Sequence, residues 1–215
     1  MKITISPPRL EPMLNEDMPF SSIAADADVE DAEACRFCRE TVAEFAPRTL
    51  TVGGCVFDRV RLASLRMRGV RFYDVRFERC DLSMADLRGA SFNRVEFAGC
   101  KLQGVDLSET TMNHVVIADT SARYANLAMS RLRHVRLAGA DFRGGVLADM
   151  KTELVEVSRC DFAEADFSHT RLAGLDFRDS AIDGIAVNPS DLRGATVSTW
   201  QAAALIRILG VRVED

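Results

Sequence analysis

Cys35 and Cys38 stand in C-x-x-C spacing, the arrangement of a redox dithiol or of half a zinc site. A structural zinc needs four ligands, and no second Cys/His pair at suitable spacing accompanies this one, so one cysteine is expected to pack inward and the other to be incidental. His114 and His134 lie 20 residues apart. If the chain repeats at that interval they stack, a geometry that could hold a metal between two imidazoles. Arg94 and Leu154 beside them in the column offer no further ligand, so a solvated pair is expected; His169 stands alone. No Ser-His-Asp set, glycine-rich phosphate loop or paired-carboxylate motif stands out. Asp81, Asp86, Asp106, Asp141, Asp161, Asp166 and Asp176 each precede a large apolar residue and read as structural or solvating, not as general bases. No enzymatic activity, cofactor or metal is expected.

What positions these side chains is a repeat. From Phe57 to Val197 every fifth residue is apolar except Thr152, giving 29 positions in constant phase. Two residues before each centre stands something small or apolar, as at Cys80, Ala85, Ala90, Val95, Cys100, Ala125, Ala140, Cys160 and Ala165. A period of five fits neither the 3.6-residue helix nor the two-residue strand. A second period of 20 runs through Val75, Val95, Val115, Val135 and Val155 and through Phe57, Phe77 and Phe97. Four five-residue sides thus make one turn, with large side chains on the axis, small ones in the corners and polar ones facing water. At strand spacing, about seven coils give a rod of roughly 35 Å. One departure stands out: Met150 occupies a small position and Thr152 a centre, with Gly145 one unit earlier, so local irregularity is expected there.

The units Ala85-Asp86-Leu87-Arg88-Gly89, Ala125-Asn126-Leu127, Ala140-Asp141-Phe142-Arg143-Gly144 and Ala165-Asp166-Phe167-Ser168 resemble those of the pentapeptide-repeat family. The resemblance covers at least 143 of 215 residues. It implies an all-β solenoid, a right-handed quadrilateral β-helix of pentapeptide repeats with a short C-terminal α-helix.

Outside the repeats, residues 1–34 hold Pro7, Pro8, Pro12, Pro19 and the acidic run Asp26, Asp28, Glu30, Asp31 and Glu33, and are expected to form an N-terminal arm partly ordered on the barrel. The β-helix is assigned to 35–197. Within it, an irregular first coil is favoured over a helix for 35–54, although the phase then points Glu40 inward and puts Pro47 at a centre. In 198–215, Ser198 or Thr199 can N-cap a helix from about Trp200 to Leu209 that Gly210 stops. Its apolar residues Trp200, Ala204, Leu205, Ile206, Ile208 and Leu209 make a face wide enough both to close the last coil and to meet a second copy. A homodimer is the expectation, with a monomer carrying a capping helix as the alternative.

Composition bounds the remaining choices. No apolar run approaches the ~20 residues of a membrane span, and residues 1–20 lack a signal peptide's apolar block, so a cytoplasmic protein without membrane attachment is expected. Cys55, Cys80, Cys100 and Cys160 fall at small inward positions and read as reduced. The net charge of −5 comes from residues 1–50, which carry five basic and ten acidic residues; residues 51–215 carry 22 of each. Along the repeats the sign alternates, and 144–195 is the acidic end, with five basic and ten acidic residues. Net negative charge disfavours direct nucleic-acid binding.

The tail Asn188-Pro189-Ser190-Asp191-Leu192-Arg193-Gly194, with Trp200-Gln201-Ala202 and Leu209-Gly210-Val211, is similar to that of the topoisomerase-directed pentapeptide-repeat proteins of the quinolone-resistance (Qnr and MfpA) kind. That resemblance implies two rods joined through C-terminal helices. It also implies a DNA-mimic-like role toward a type II topoisomerase, DNA gyrase or topoisomerase IV, as inhibition or as protection from inhibitors. Glu164, Asp166, Asp176, Asp179 and Asp183 are the candidate contact residues. The alternative is a protein-interaction scaffold with an unrelated partner, contacted through the arginine-rich stretches 59–79 and 123–143.

Overall fold

A backbone that turns through four corners every 20 residues brings residue i beside residue i + 20, and the computed structural model, which describes residues 3–212, shows that register in every pairing of its strands. Residues 1–2 of the arm and 213–215 of the tail lie outside the described residues. The chain is a β-solenoid. Its strands are β1 (Asp31–Glu33), β2 (Arg36–Cys38), β3 (Thr51–Gly53), β4 (Val56–Asp58), β5 (Arg71–Glu78), β6 (Ser91–Ala98), β7 (Thr111–Ala118), β8 (Arg131–Ala138) and β9 (Lys151–Ser158). All pair in parallel, in the order β1-β3-β5-β6-β7-β8-β9, with β2 and β4 extending the second half of the same surface. The strands line two adjoining faces of the square; the other two faces are turns joined by single bridges such as Asp81↔Lys101 and Asp86↔Asp106.

The periodic centres fill the axis. Phe37, Phe57, Phe77 and Phe97 form one column with ring centroids 4.8, 4.8 and 4.9 Å apart, the strand-to-strand distance itself. Phe72 lies 5.3 Å from Phe92, and Phe142 lies 5.5 Å from Phe162. The thiols of Cys55, Cys80 and Cys100 are buried at the corners and donate to backbone carbonyls. Burial pushes Cys55 up to about 12, and Cys80 is raised by its hydrogen bond to Cys100 and by burial, so Cys55 and Cys80 are inert packing groups.

Most corners are made at the last residue of a unit, which takes the left-handed conformation even where it is not glycine: φ is 54° at Arg94 and at His114 and 59° at Tyr124. The aspartates one before the centres brace these turns, each carboxylate accepting the N–H two residues on. Ser83 N donates to Asp81, Ser108 N to Asp106 and Ser168 N to Asp166, at 2.8–3.0 Å.

Both ends of the stack are covered. At the N-terminal end α1 (Phe20–Ala25) seats Phe20 edge-on against Phe37 and Phe57, 5.1 and 5.0 Å away. Glu40, whose inward phase is awkward from sequence, accepts the N–H groups of Phe20 and Ser21 at 2.8 and 2.9 Å and so caps that helix. Residues 35–54 contain no helix, and β1 already stacks in register on β3 ahead of residue 35. At the other end α2 (Thr199–Leu205) starts in a capping box between Ser198 and Gln201, tightens to a 3-10 turn over Ile206–Leu209 and stops at left-handed Gly210. The last coil is closed largely by polar contact: Gln201 Nε2 donates to the carbonyls of Phe177 and Ser180 at 2.8 and 2.7 Å, and Leu205 packs against the core.

The expected irregularity at Met150 and Thr152 is a break in the ladder. The N–H groups of Arg71, Ser91, Thr111, Arg131 and Lys151 donate to the carbonyls of Leu50, Val70, Ala90, Thr110 and Ser130 at 2.8–3.1 Å, but Arg171 does not continue the series to Met150. The series Arg59, Arg79, Gly99, Asp119 and Gly139 likewise has no member at Arg159. Among the described residues, no backbone hydrogen bond joins Lys151–Arg159 to Arg171–Asp179. The two turn faces stay bonded across the same level, through Phe162 N to Ala181 O and Phe167 N to Ala186 O at 2.8 and 2.7 Å. A long side chain at a corner and a short one on the axis wedge two faces apart, and the Thr152 hydroxyl reaches the Arg171 carbonyl at 3.4 Å.

Leu107 is an axial residue buried to 1 % exposure. Leu107→Ala should lower unfolding stability by about 2–5 kcal/mol in denaturant titration, and Leu107→Asp should abolish the folded state; a wild-type melting curve for the aspartate variant would place Leu107 outside the core.

Candidate functional site

Apolar side chains fill the axis, and on the outward columns opposite charges mostly meet their neighbours one coil away. Arg76 and Glu96 pair at 2.9 Å, Arg88 bridges Asp86 and Asp106 at 2.8 and 3.3 Å, and Arg143 bridges Asp141 and Asp161 at 2.6 and 3.3 Å. The arginine-rich stretch 59–79 is largely neutralised in this way, with Arg61 on Asp81, Arg68 on Asp86 and Arg79 on Asp58. Arg131, Lys151 and Arg171, none of them in an ion pair among the described residues, form a basic row on the first strand face.

The five candidate acidic residues fall on three faces. Asp176 and Asp179 lie on the second strand face, Glu164 and Asp183 on the first turn face, and Asp166 on the second turn face. Glu164 and Asp183 are brought together, the Glu164 N–H donating to the Asp183 carbonyl at 2.8 Å. Asp179 is exposed at the adjoining corner. Asp176 is neutralised by Arg178 at 2.7 Å, and that guanidinium holds its carboxyl below the usual range. Asp166 braces its own turn. Of the five, Glu164, Asp179 and Asp183 are therefore the exposed ones without an ion pair among the described residues, whereas Asp26, Asp28, Glu30, Asp31 and Glu44 are exposed carboxylates toward the other end.

At the C-terminus Trp200 is 88 % exposed and Leu209 61 %, and Ala204, Ile206 and Ile208 are also exposed. Leu205 is partly buried against the core, so it offers less surface than its neighbours. Cys35 and Cys38 do not converge: Cys35 donates to the Glu33 carbonyl at 3.1 Å, whereas Cys38 is exposed on the far side of Phe37.

The histidine pair departs from the expectation of a solvated pair. The rings of His114 and His134 stack at 4.5 Å and are half-buried beneath the N-terminal segment, whose extended residues run down this corner column. Arg136 donates to the Ile3 carbonyl at 3.5 Å, Ser6 N–H donates to His114 Nδ1 at 3.2 Å and Arg9 N–H to Asp74 at 2.8 Å. Arg94 completes the track by a double hydrogen bond to Asp74, 2.6 Å at each nitrogen. The two prolines at 7 and 8 favour the extended conformation this track needs, but no periodicity in the segment signals where it docks.

Two titrations govern the segment. Burial disfavours the His114 imidazolium, and His134, Arg94 and Arg133 add repulsion, so its pKa lies below the ordinary value. Burial opposes ionisation of Asp74, but the Arg94 guanidinium and the Arg9 N–H outweigh it and hold the carboxyl below its usual range.

A family model of the pentapeptide repeat region matches residues 70–145 and 90–167, and a second, of eight pentapeptide repeats, matches 157–184. No curated protein sequence matches the chain. Among solved structures it is similar to full-length QnrB1, a plasmid-mediated fluoroquinolone resistance protein, at 21% identity over 85% of this chain and 100% of that one, with a TM-score of 0.29. HetL of the cyanobacterium Nostoc sp. strain PCC 7120, involved in heterocyst differentiation regulation, matches at 17% identity over 82% and 90%, with a TM-score of 0.29. A pentapeptide repeat protein of the Arabidopsis thaliana thylakoid lumen matches at 17% over 49% and 63%, with a TM-score of 0.25.

Neutral His114 accepts the Ser6 N–H, so that contact is complete above about pH 6.5 and is lost as pH falls through the depressed folded value; the Asp74 contact persists until its own lower value is crossed. Hydrogen exchange corrected for its intrinsic pH dependence should show Ser6 losing protection at higher pH than Arg9. Simultaneous loss would contradict the assignment.

Proposed function

The chain belongs to the pentapeptide-repeat family, and on that premise we propose that it is a non-enzymatic binding protein whose acidic C-terminal coils engage a type II topoisomerase, DNA gyrase or topoisomerase IV. The observation that carries this reading is the exposed carboxylate set Glu164, Asp179 and Asp183, none of which has an arginine or lysine within ion-pair distance among the described residues. Elsewhere on the rod the coil-to-coil pairs neutralise most charge. A rigid rod with unpaired carboxylates near one end offers a basic, DNA-gripping surface a protein substitute for phosphates.

The exposed apolar set Trp200, Ala204, Ile206, Ile208 and Leu209 supports end-to-end pairing of two copies, which would place two acidic ends side by side. The scaffold reading draws on the basic row Arg131, Lys151 and Arg171, which would suit an acidic partner of another kind.

A supercoiling assay with purified gyrase should show inhibition, or protection from a cleavage-trapping drug, weakened at least about ten-fold by combined Glu164→Gln, Asp179→Asn and Asp183→Asn, a loss of ~1.4 kcal/mol or more. Absence of any effect at high protein excess removes the topoisomerase reading. In light scattering Trp200→Glu with Leu209→Glu should give the 23.7 kDa monomer, whereas the unaltered chain gives twice that mass; a monomeric unaltered chain removes the dimer.

A further inference from the structure

Where the ladder stops, β9 keeps one paired edge and one open edge. Its closed edge is bonded to β8, with Arg133 on Glu153 at 3.3 Å and Arg136 on Glu156 at 3.1 Å. Its open edge faces a cavity of about 540 Å³ lined by Val155, Glu156, Val157, Asp176, Arg178 and Asp179. Val155 is part-exposed where Val75, Val115 and Val135 of the same column are at 0 %, and Leu154 is 43 % exposed. Ile3, the first described residue, lines the adjoining, smaller space of about 170 Å³ beside Leu154 and Leu175.

We propose that this opening is a strand-docking site for an extended, basic peptide segment of a partner protein, which adds to the open edge of β9 in parallel register. Three observations carry the choice of occupant. Among the described residues the edge leaves the Met150 carbonyl and the Arg159 N–H without backbone partners, as the facing coil leaves the Arg171 N–H, so an inserted strand finds donors and acceptors on both sides. The middle of the floor is apolar, at Val155 and Val157, and suits an apolar side chain every second residue. The walls hold three carboxylates, Glu156, Asp176 and Asp179, to one guanidinium, Arg178, and that guanidinium is already bound to Asp176. Basic side chains in register already satisfy Glu153 and Glu156 from the β8 side, and the same pattern from the open side would meet Glu156 and Asp179. The site shares Asp179 with the proposed topoisomerase contact but not Glu164 or Asp183, and its edge, floor and remaining walls belong to other residues, so it stands whether or not a topoisomerase is the partner there.

The β8 sequence, Arg-Leu-Arg-His-Val-Arg-Leu-Ala, supplies the probe. Labelled and added to the full chain, this peptide should bind saturably in fluorescence anisotropy. N-methylation of alternate backbone amides, or Met150→Ala with Thr152→Leu, which restores a small corner and a large centre, should each weaken binding at least about ten-fold. In the free protein the Arg159 and Arg171 amides should exchange fast against their counterparts Gly139 and Arg131, and the peptide should slow them. The proposal is overturned by absence of binding, by equal binding of the N-methylated peptide or of the restored variant, or by amides already protected in the free protein. Self-association that the restored variant abolishes would make a second copy the occupant and would also overturn it.

Discussion

Every backbone N–H and C=O on the strand faces has to find its partner one coil away, and a chain built of four five-residue sides meets that demand only if residue i faces residue i + 20 without slippage. This one requirement couples the whole molecule. It sets the centroid distance of the phenylalanine column, admits only small groups at the corners and fixes which surface residues are neighbours. A side chain of the wrong size at one level is therefore felt between coils, where the bonds are, and less within a coil.

The surface follows from the same register. Outward residues 20 apart stand about one strand spacing from each other, so opposite charges in a column pair and like groups stack, as His114 and His134 do. Charge that is balanced within a column is silent toward partners. Surfaces that remain available include those where charge is not balanced among the described residues: the carboxylates at both ends of the rod, the basic row on the first strand face, and the level at which the ladder itself stops. The ends add an asymmetry, since α1 seals its end with a buried phenylalanine whereas α2 closes its end mainly through Gln201 and leaves Trp200 in water.

The N-terminal segment adds a contact of a different kind. It runs across the coils instead of along them, and its hydrogen bonds go to side chains of several levels, Asp74 and His114 among them, together with the Arg136 guanidinium. Such a strap links levels that otherwise communicate only through nearest neighbours, and it covers a histidine pair that would otherwise face solvent.

The amino-acid sequence alone determined the solenoid, because the five-residue spacing of Phe57, Phe77 and Phe97 and the 20-residue echo of the valines express a local rule that each unit obeys independently. The turn-bracing role of Asp81 and Asp166, the packing role of the thiols and the irregularity at Met150 and Thr152 were legible for the same reason. Only the tertiary structure decided which carboxylates stay unpaired, since Asp176 and Asp183 look alike until Arg178 is placed. It likewise decided that residues 3–9 dock over His114, that Glu40 caps a helix, that Leu205 is partly buried against the core, and that one exchange of side-chain size opens two faces while two stay shut. Those outcomes depend on contacts between segments far apart in the chain, and no periodicity within a segment encodes them.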